Sequence, residues 1–195
     1  MDDERRSPLA VAVEGVLAGM GGALGVTVLT AAGRRAVAGR GGRGAVQLVP
    51  ADEAVTAGQV LSEGPDLPAN MNRVTATFVQ KLATGLFGAS LDAEQQYLAG
   101  TLWHLAYGGF WGLLYALWRG SLPIPPLALG PAHGLLVWAL GPGWLVPKMG
   151  LMLPPGRQRP RTTALVAGIH AAYGLTVALL VALRHPAAPR GAERR

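Results

Sequence analysis

Residues 97–118 read YLAGTLWHLAYGGFWGLLYALW, and residues 162–183 read TTALVAGIHAAYGLTVALLVAL. Aligned on their histidines, they share H-x-A-Y-G (His104 to Gly108, His170 to Gly174), and the likeness continues at Leu113/Leu179, Leu114/Leu180, Ala116/Ala182 and Leu117/Leu183. Neither stretch contains Asp, Glu, Lys or Arg. Each has the roughly 20 residues needed to cross a hydrocarbon core of about 30 Å. Two more blocks have the same character: 8–32, whose one charged side chain is Glu14, and 127–146, which holds only His133. These blocks predict an all-α, polytopic membrane protein with four transmembrane helices at about 8–32, 97–118, 127–146 and 162–183. Two crossings separate the repeated blocks, so the second and fourth helices run parallel. The chain then reads as two helical hairpins forming a parallel internal repeat, the first helix paired with the second and the third with the fourth.

Composition agrees. Of 195 residues, 50% are hydrophobic and 14% charged, against about 25% charged in an ordinary soluble domain, and the mean hydropathy is +0.31. The net charge is +6, but the basic residues sit beside the apolar blocks: Arg34 and Arg35, Arg119, Lys148, Arg157, Arg159, Arg161 and Arg184. That is the flank pattern of membrane helices, which speaks against nucleic acid as a partner and for the lipid bilayer. The absence of Cys removes disulfides, thiolate metal sites and cysteine nucleophiles. The acidic start Met1-Asp2-Asp3-Glu4, the length of the first block and its Glu14 do not suit a cleaved signal peptide.

The first block begins after Ser7-Pro8, a cap followed by proline, and is expected to end near Gly33. Its glycines at 15, 19, 21, 22 and 25 form small-xxx-small pairs that let helix backbones approach in lipid, within the chain or in a homo-oligomer. A glycine-rich composition with no such role reads the same way. Residues 33–96 form a polar insertion: a Gly/Arg-rich flexible strap from Gly33 to Gly44, a short helix from Ala51 to Leu61, and an amphipathic helix at about Asn72–Phe87. In that last helix Met71, Val74, Phe78, Leu82 and Leu86 make one stripe. The stripe suits either the membrane interface or the ends of the spanning helices, and the scarcity of basic residues favours the second. Asp92 with Gln95 reads as a capping box opening the second long helix, which leaves the bilayer at Trp118-Arg119. Pro123, Pro125, Pro126, Pro131 and Gly141-Pro142-Gly143 break up the third block. It reads as a kinked span or a re-entrant segment, and the apolar run to Val146 favours the span. The tail 186–195 reads as disordered.

Four spans put both termini on one side. Seven basic residues then fall on the terminus side and eight near the membrane on the other, and the flanks of the first helix favour a cytoplasmic insertion 33–96. Ionisable groups within a bilayer are costly and usually face the bundle interior. The candidate polar site is therefore Glu14, His104, Tyr107, His133, His170 and Tyr173, with His104 and His170 converging toward the insertion side and Glu14 and His133 toward the terminus side. These residues serve either helix packing, through hydrogen bonds to hydroxyls and carbonyls, or a proton-responsive or ligand-binding cavity. Packing is the favoured reading. No Gly-x-Ser-x-Gly, Walker or HExxH motif is present, and no His spacing suits a metal; neither a cofactor nor a metal is expected.

The His104-x-x-Tyr-Gly block with its Pro-rich connector, His133-Gly with Trp138, Trp144 to Pro147, Gly150, Pro154-Pro155 and His170-x-x-Tyr-Gly resemble the YagU-like uncharacterised bacterial inner-membrane proteins. The resemblance implies an integral protein of the bacterial cytoplasmic membrane and brings no reaction, cofactor or substrate. The Gly/Arg-rich strap departs from it. Non-enzymatic structural or stress-related work is the leading expectation, a small transporter or proton-linked channel the alternative, and a membrane-embedded enzyme a distant third.

Overall fold

The computed structural model describes residues 7–38 and 67–184, and all regular structure there is helical. The helices are α1 (Pro8–Ala38), α2 (Leu67–Phe87), α3 (Ala93–Arg119), α4 (Pro126–Leu140) and α5 (Pro160–Leu183). A π-turn, Gly141–Leu145, and one further helical turn, Val146–Lys148, prolong α4. The expected helix at 51–61, the second half of the basic strap (39–44) and the tail 186–195 lie outside the described residues, and the first half of the strap is the end of α1.

The ends of the helices follow from local chemistry. At the start of α1 the Ser7 hydroxyl accepts the Ala10 N–H at 3.2 Å. The helix does not stop near Gly33 but continues to Ala38, because Arg34 to Ala38 contains nothing that breaks a helix and a charge marks the edge of a bilayer rather than the end of a helix. α2 begins at Leu67, five residues earlier than expected, with Pro68 in the first turn where its missing N–H costs nothing. It ends at Gly88, whose φ of +64° suits glycine and whose N–H returns to the Thr84 carbonyl at 3.0 Å. The capping box on α3 is present: the Asp92 carboxylate accepts the Gln95 N–H at 2.9 Å, and the Gln95 side-chain carbonyl accepts the Asp92 N–H at 3.0 Å.

α4 follows one helical path from Pro126 to Lys148. Pro142 has no N–H for the Trp138 carbonyl and its ring crowds that carbonyl. The chain widens into a π-turn instead of breaking, and the Val146 N–H reaches Gly141. Gly143 fits the widened turn because a Cβ there would sit 3.2 Å from the Trp138 oxygen. Gly150, at φ +70°, closes the segment with its N–H on the Pro147 carbonyl at 3.0 Å and that of Leu151 on Val146 at 3.1 Å.

α1, α3, α4 and α5 form a four-sided bundle in which α1 packs on α3, α4 packs on α5, and α1 joins the two pairs through α5. The fourth side, α3 against α4, is the open one, with far less close backbone approach. Glycine makes the tight sides. A Cβ on Gly15 would lie 2.6 Å from the Ala116 Cβ, and one on Gly19 would strike the Gly108 carbonyl. In the other pair a Cβ on Gly130 would lie 2.7 Å from the Ala178 Cβ and 2.8 Å from the Gly174 oxygen. Gly21, Gly22 and Gly25 face Leu180, Val177 with Tyr173, and Thr176 of α5. Contacts within one chain thus require glycine at Gly15, Gly19 and Gly22, whereas Gly25, with Thr176 at 3.8 Å, makes an ordinary contact.

Two helices are long and apolar enough to cross a membrane, Pro8–Leu29 and Pro160–Leu183, with 28% and 33% of their most apolar stretch buried inside the protein. Most of each stretch is therefore half-buried or exposed, although it is apolar. α3 has the length, at 27 residues, but its glycines, aromatic residues and His104 dilute its apolar character. α4 has 15 residues before its π-turn. Outward-facing Leu98, Leu102, Phe110 and Leu117 on α3, and Leu127, Leu135, Leu136 and Leu140 on α4, are nonetheless exposed in the same way as Leu17, Leu24 and Val28 on α1.

α2 lies antiparallel along the start of α3. The Phe78 and Trp103 rings are 4.9 Å apart, and the Gln80 side-chain carbonyl accepts the Leu91 N–H at 2.9 Å. Of the predicted stripe, Val74, Phe78 and Leu82 are half-buried, as is every residue from 74 to 80, while Leu86 is 71% exposed, Ala83 is buried, and the Met71 side chain lies outside the described residues. α3 begins at Ala93, so its first turn is the last to support α2 and Leu86 lies beyond it. Lys81 ties α2 to the end of the α4 path by donating to the Met149 carbonyl at 2.9 Å.

Gly19→Val forces α1 off α3 and is expected to destabilise the protein by about 1–3 kcal/mol in unfolding titrations from mixed micelles. Gly168→Ala, at a mid-helix position with no atom within 4 Å of the new methyl, is expected to be neutral or to stabilise by about 0.5–1 kcal/mol.

Candidate functional site

α3 carries two unlike faces. One is bare, with Gly108, Gly112 and Ala116 against α1. The other carries Tyr107, Trp111, Tyr115 and Trp118, spaced i+4, i+4 and i+3, so that four aromatic rings form one stripe. That stripe fills the open side of the bundle. Large rings hold α4 away from α3, whereas glycine lets α1 come close.

His133 of α4 projects into this seam and is 3% exposed. Its ring meets those of Trp111, Tyr115 and Trp118 edge to face at centroid distances of 5.8, 5.4 and 5.3 Å. Such contacts are favoured by the quadrupoles of the rings and fix their orientation. Tyr115 is fully buried. Toward the other end of the seam the Tyr107 hydroxyl abuts the π-turn, where a Cβ on Gly141 would lie 2.8 Å from the Tyr107 oxygen. The Tyr107 ring also stands edge-on to Trp111 at 6.0 Å.

The repeated histidines lie one level deeper toward the α2 side. Tyr173 donates from its hydroxyl to the Gly108 carbonyl at 2.7 Å, a buried hydrogen bond from α5 to α3. His170 bonds through Nδ1 to the Val166 carbonyl one turn back on α5, at 2.8 Å. This contact requires the hydrogen on Nδ1 and leaves Nε2 as the acceptor in the neutral ring. The His104 ring faces the Ala23 carbonyl of α1 and lies within electrostatic reach of His170. The Ala23 carbonyl also accepts the Thr27 hydroxyl at 2.9 Å.

The structure therefore brings together His104, His170, Tyr173 and the Gly108 carbonyl. It places Tyr107 on the π-turn and His133 among the α3 aromatics. Glu14 is half-buried on α1 beside Gly15, at the level of Gly112 to Ala116. His133 shares that depth but stands on α4, diagonally across the bundle. Gly134 packs on the His170 backbone, so its counterpart on α1 is the Ala23 that faces His104, not Gly15. Trp111, Tyr115 and Trp118 were not among the expected site residues, although the spacing that groups them with Tyr107 is legible in the sequence. Among the described residues no group of three His, Asp or Glu stands close enough to hold a metal ion. No family model, curated protein or solved structure matches the chain.

Tyr173→Phe keeps the ring and removes one buried donor. It is expected to cost about 0.5–1.5 kcal/mol of stability, measured by unfolding in mixed micelles, while Tyr97→Phe, at a residue 70% exposed, leaves stability unchanged.

Proposed function

We propose that the chain is a four-span protein of a bacterial cytoplasmic membrane, related to the YagU-like proteins, and that it works as a non-enzymatic structural or stress-related membrane component. The observation that carries the packing reading is the Tyr173 to Gly108 hydrogen bond. It joins the two halves of the bundle where glycine has already brought backbones into contact, and it satisfies the tyrosine with a carbonyl rather than leaving it for a ligand. His170 is occupied in the same manner by Val166.

The support for four spans is geometric. α3 lies along α1 from the Gly15–Gly112 level to the Ala23–Gly108 level, so a bilayer that holds α1 surrounds α3 at the same depth. The same holds for α4 along α5. Exposed leucines on the outer faces of α3 and α4 then meet lipid, the partner those faces require. The π-turn is tolerated because its backbone stays helical and borders the seam. With the 33–96 insertion in the cytoplasm, the Ser121 turn faces out and the Gly156 loop faces in.

A native chain without cysteine makes the topology directly testable. Ser121→Cys is expected to react with a membrane-impermeant maleimide in intact cells, and Gly156→Cys only after permeabilisation. Equal reactivity of both from one side would replace the fourth-span reading with a re-entrant α4. In liposomes, wild type and the double variant His104→Ala/His170→Ala are expected to give the same proton and anion fluxes. A flux present in wild type and lost in the variant would favour the transporter alternative, to which the seam around His133 is the pointer.

A further inference from the structure

The α3–α4 seam holds polar atoms that helix packing leaves unused. Neither ring nitrogen of His133 has a hydrogen-bond partner, and the Trp111 carbonyl faces the imidazole outside hydrogen-bonding geometry. The Trp111 Nε1, Trp118 Nε1 and Tyr115 Oη atoms around it are equally buried and equally without a partner. Those rings are the three whose centroids lie 5.8, 5.3 and 5.4 Å from that of His133. Five buried polar atoms of this kind thus collect about one side chain, whereas buried polar groups in native proteins are almost all paired, with protein or with ordered water. Within a bilayer no bulk solvent makes up the deficit.

The chemistry of the five atoms selects the occupant. Both indoles only donate, neutral imidazole donates once and accepts once, and the phenol does both. A partner for the whole set must accept from Trp111 and Trp118 and donate to the acceptor nitrogen of His133. A halide accepts but cannot donate. A metal cation finds one imidazole lone pair and a wall of N–H groups. An apolar molecule does neither. Water accepts twice and donates twice, and internal waters in proteins make about three hydrogen bonds each, so the three N–H donors, the phenol and the one imidazole lone pair take more than one water. We propose that the His133, Trp111, Tyr115 and Trp118 cluster is an internal water site between α3 and α4. It makes His133 an imidazole in hydrogen-bonded exchange with water. His170, by contrast, has one nitrogen committed to Val166.

The test is water-edited solid-state NMR on the full-length protein in lipid bilayers, with ¹⁵N-labelled His and Trp assigned through single Trp→Phe variants and His133→Phe. The expected result is rapid magnetisation transfer from water to the His133 N–H and to the Trp111 and Trp118 indoles, in contrast to the lipid-facing Trp144. In His133→Phe the transfer to both indoles is expected to be lost. Absence of transfer at His133 and both indoles in wild type, while the arginine side chains of a second sample labelled with ¹⁵N-Arg show it, overturns the proposal. So does a saturable shift of the indole signals on adding chloride or bromide, which identifies an anion as the occupant. The wild-type measurement stands by itself if His133→Phe does not fold, and Trp118→Phe then serves as the second variant, expected to weaken transfer at Trp111.

Discussion

Backbone touching backbone at glycine is the contact on which the rest of the molecule depends. α1 can lie along α3 only because Gly15 and Gly19 face Gly108 and Gly112, and α4 can lie along α5 only because Gly130 and Gly134 face Gly174 and the His170 backbone. In lipid the hydrophobic effect does not drive helices together, since hydrocarbon tails are as apolar as leucine. Close packing and hydrogen bonds between helices must do so. Glycine provides the first by removing the Cβ that would keep two helical backbones apart. It also prepares the second, because a carbonyl left uncovered by side chains, such as that of Gly108, is open to a tyrosine from a third helix.

The same constraint explains the shape of the site. When two sides of a four-sided bundle are pulled tight by glycine and a third is packed by Gly21 and Gly22 on α5, the remaining side is set by whatever stands between α3 and α4. Here that is a stripe of four aromatic rings and a histidine. The polar residues divide accordingly. Those at tight sides, Tyr173 and His170, find a backbone carbonyl within reach. Those at the open side, His133 with the two indoles and the phenol, are held apart from the backbone by their own ring size.

Much of this was legible in the residues. The H-x-A-Y-G likeness between 97–118 and 162–183, two crossings apart, foretold that α3 and α5 run parallel, and they stand diagonally across the bundle, joined by the Tyr173 to Gly108 hydrogen bond. Asp92 and Gln95 marked a helix start because a capping box is purely local chemistry. Glu14 and His133, expected to converge, stand diagonally across the bundle, because the packing of Gly134 against His170 puts it in register with Ala23 rather than Gly15. α1 runs past the expected end near Gly33 to Ala38, because arginine marks a change of solvent and does not break a helix. The aromatic stripe was overlooked because Trp and Tyr near a helix end read as interfacial anchors. Only tertiary placement shows that Trp118 turns inward to His133.

The most direct test of the central claim is a through-space measurement of the glycine contacts in a bilayer, without altering any residue. With ¹³Cα-glycine labelling and solid-state NMR spin diffusion, the account predicts cross-helix correlations between Gly19 and Gly112 and between Gly134 and Gly174. A Cβ on Gly112 would lie 2.5 Å from the Gly19 Cα, and one on Gly174 would lie 2.9 Å from the Gly134 Cα. Spectra that show only correlations along each helix, with neither of these pairs, would contradict it.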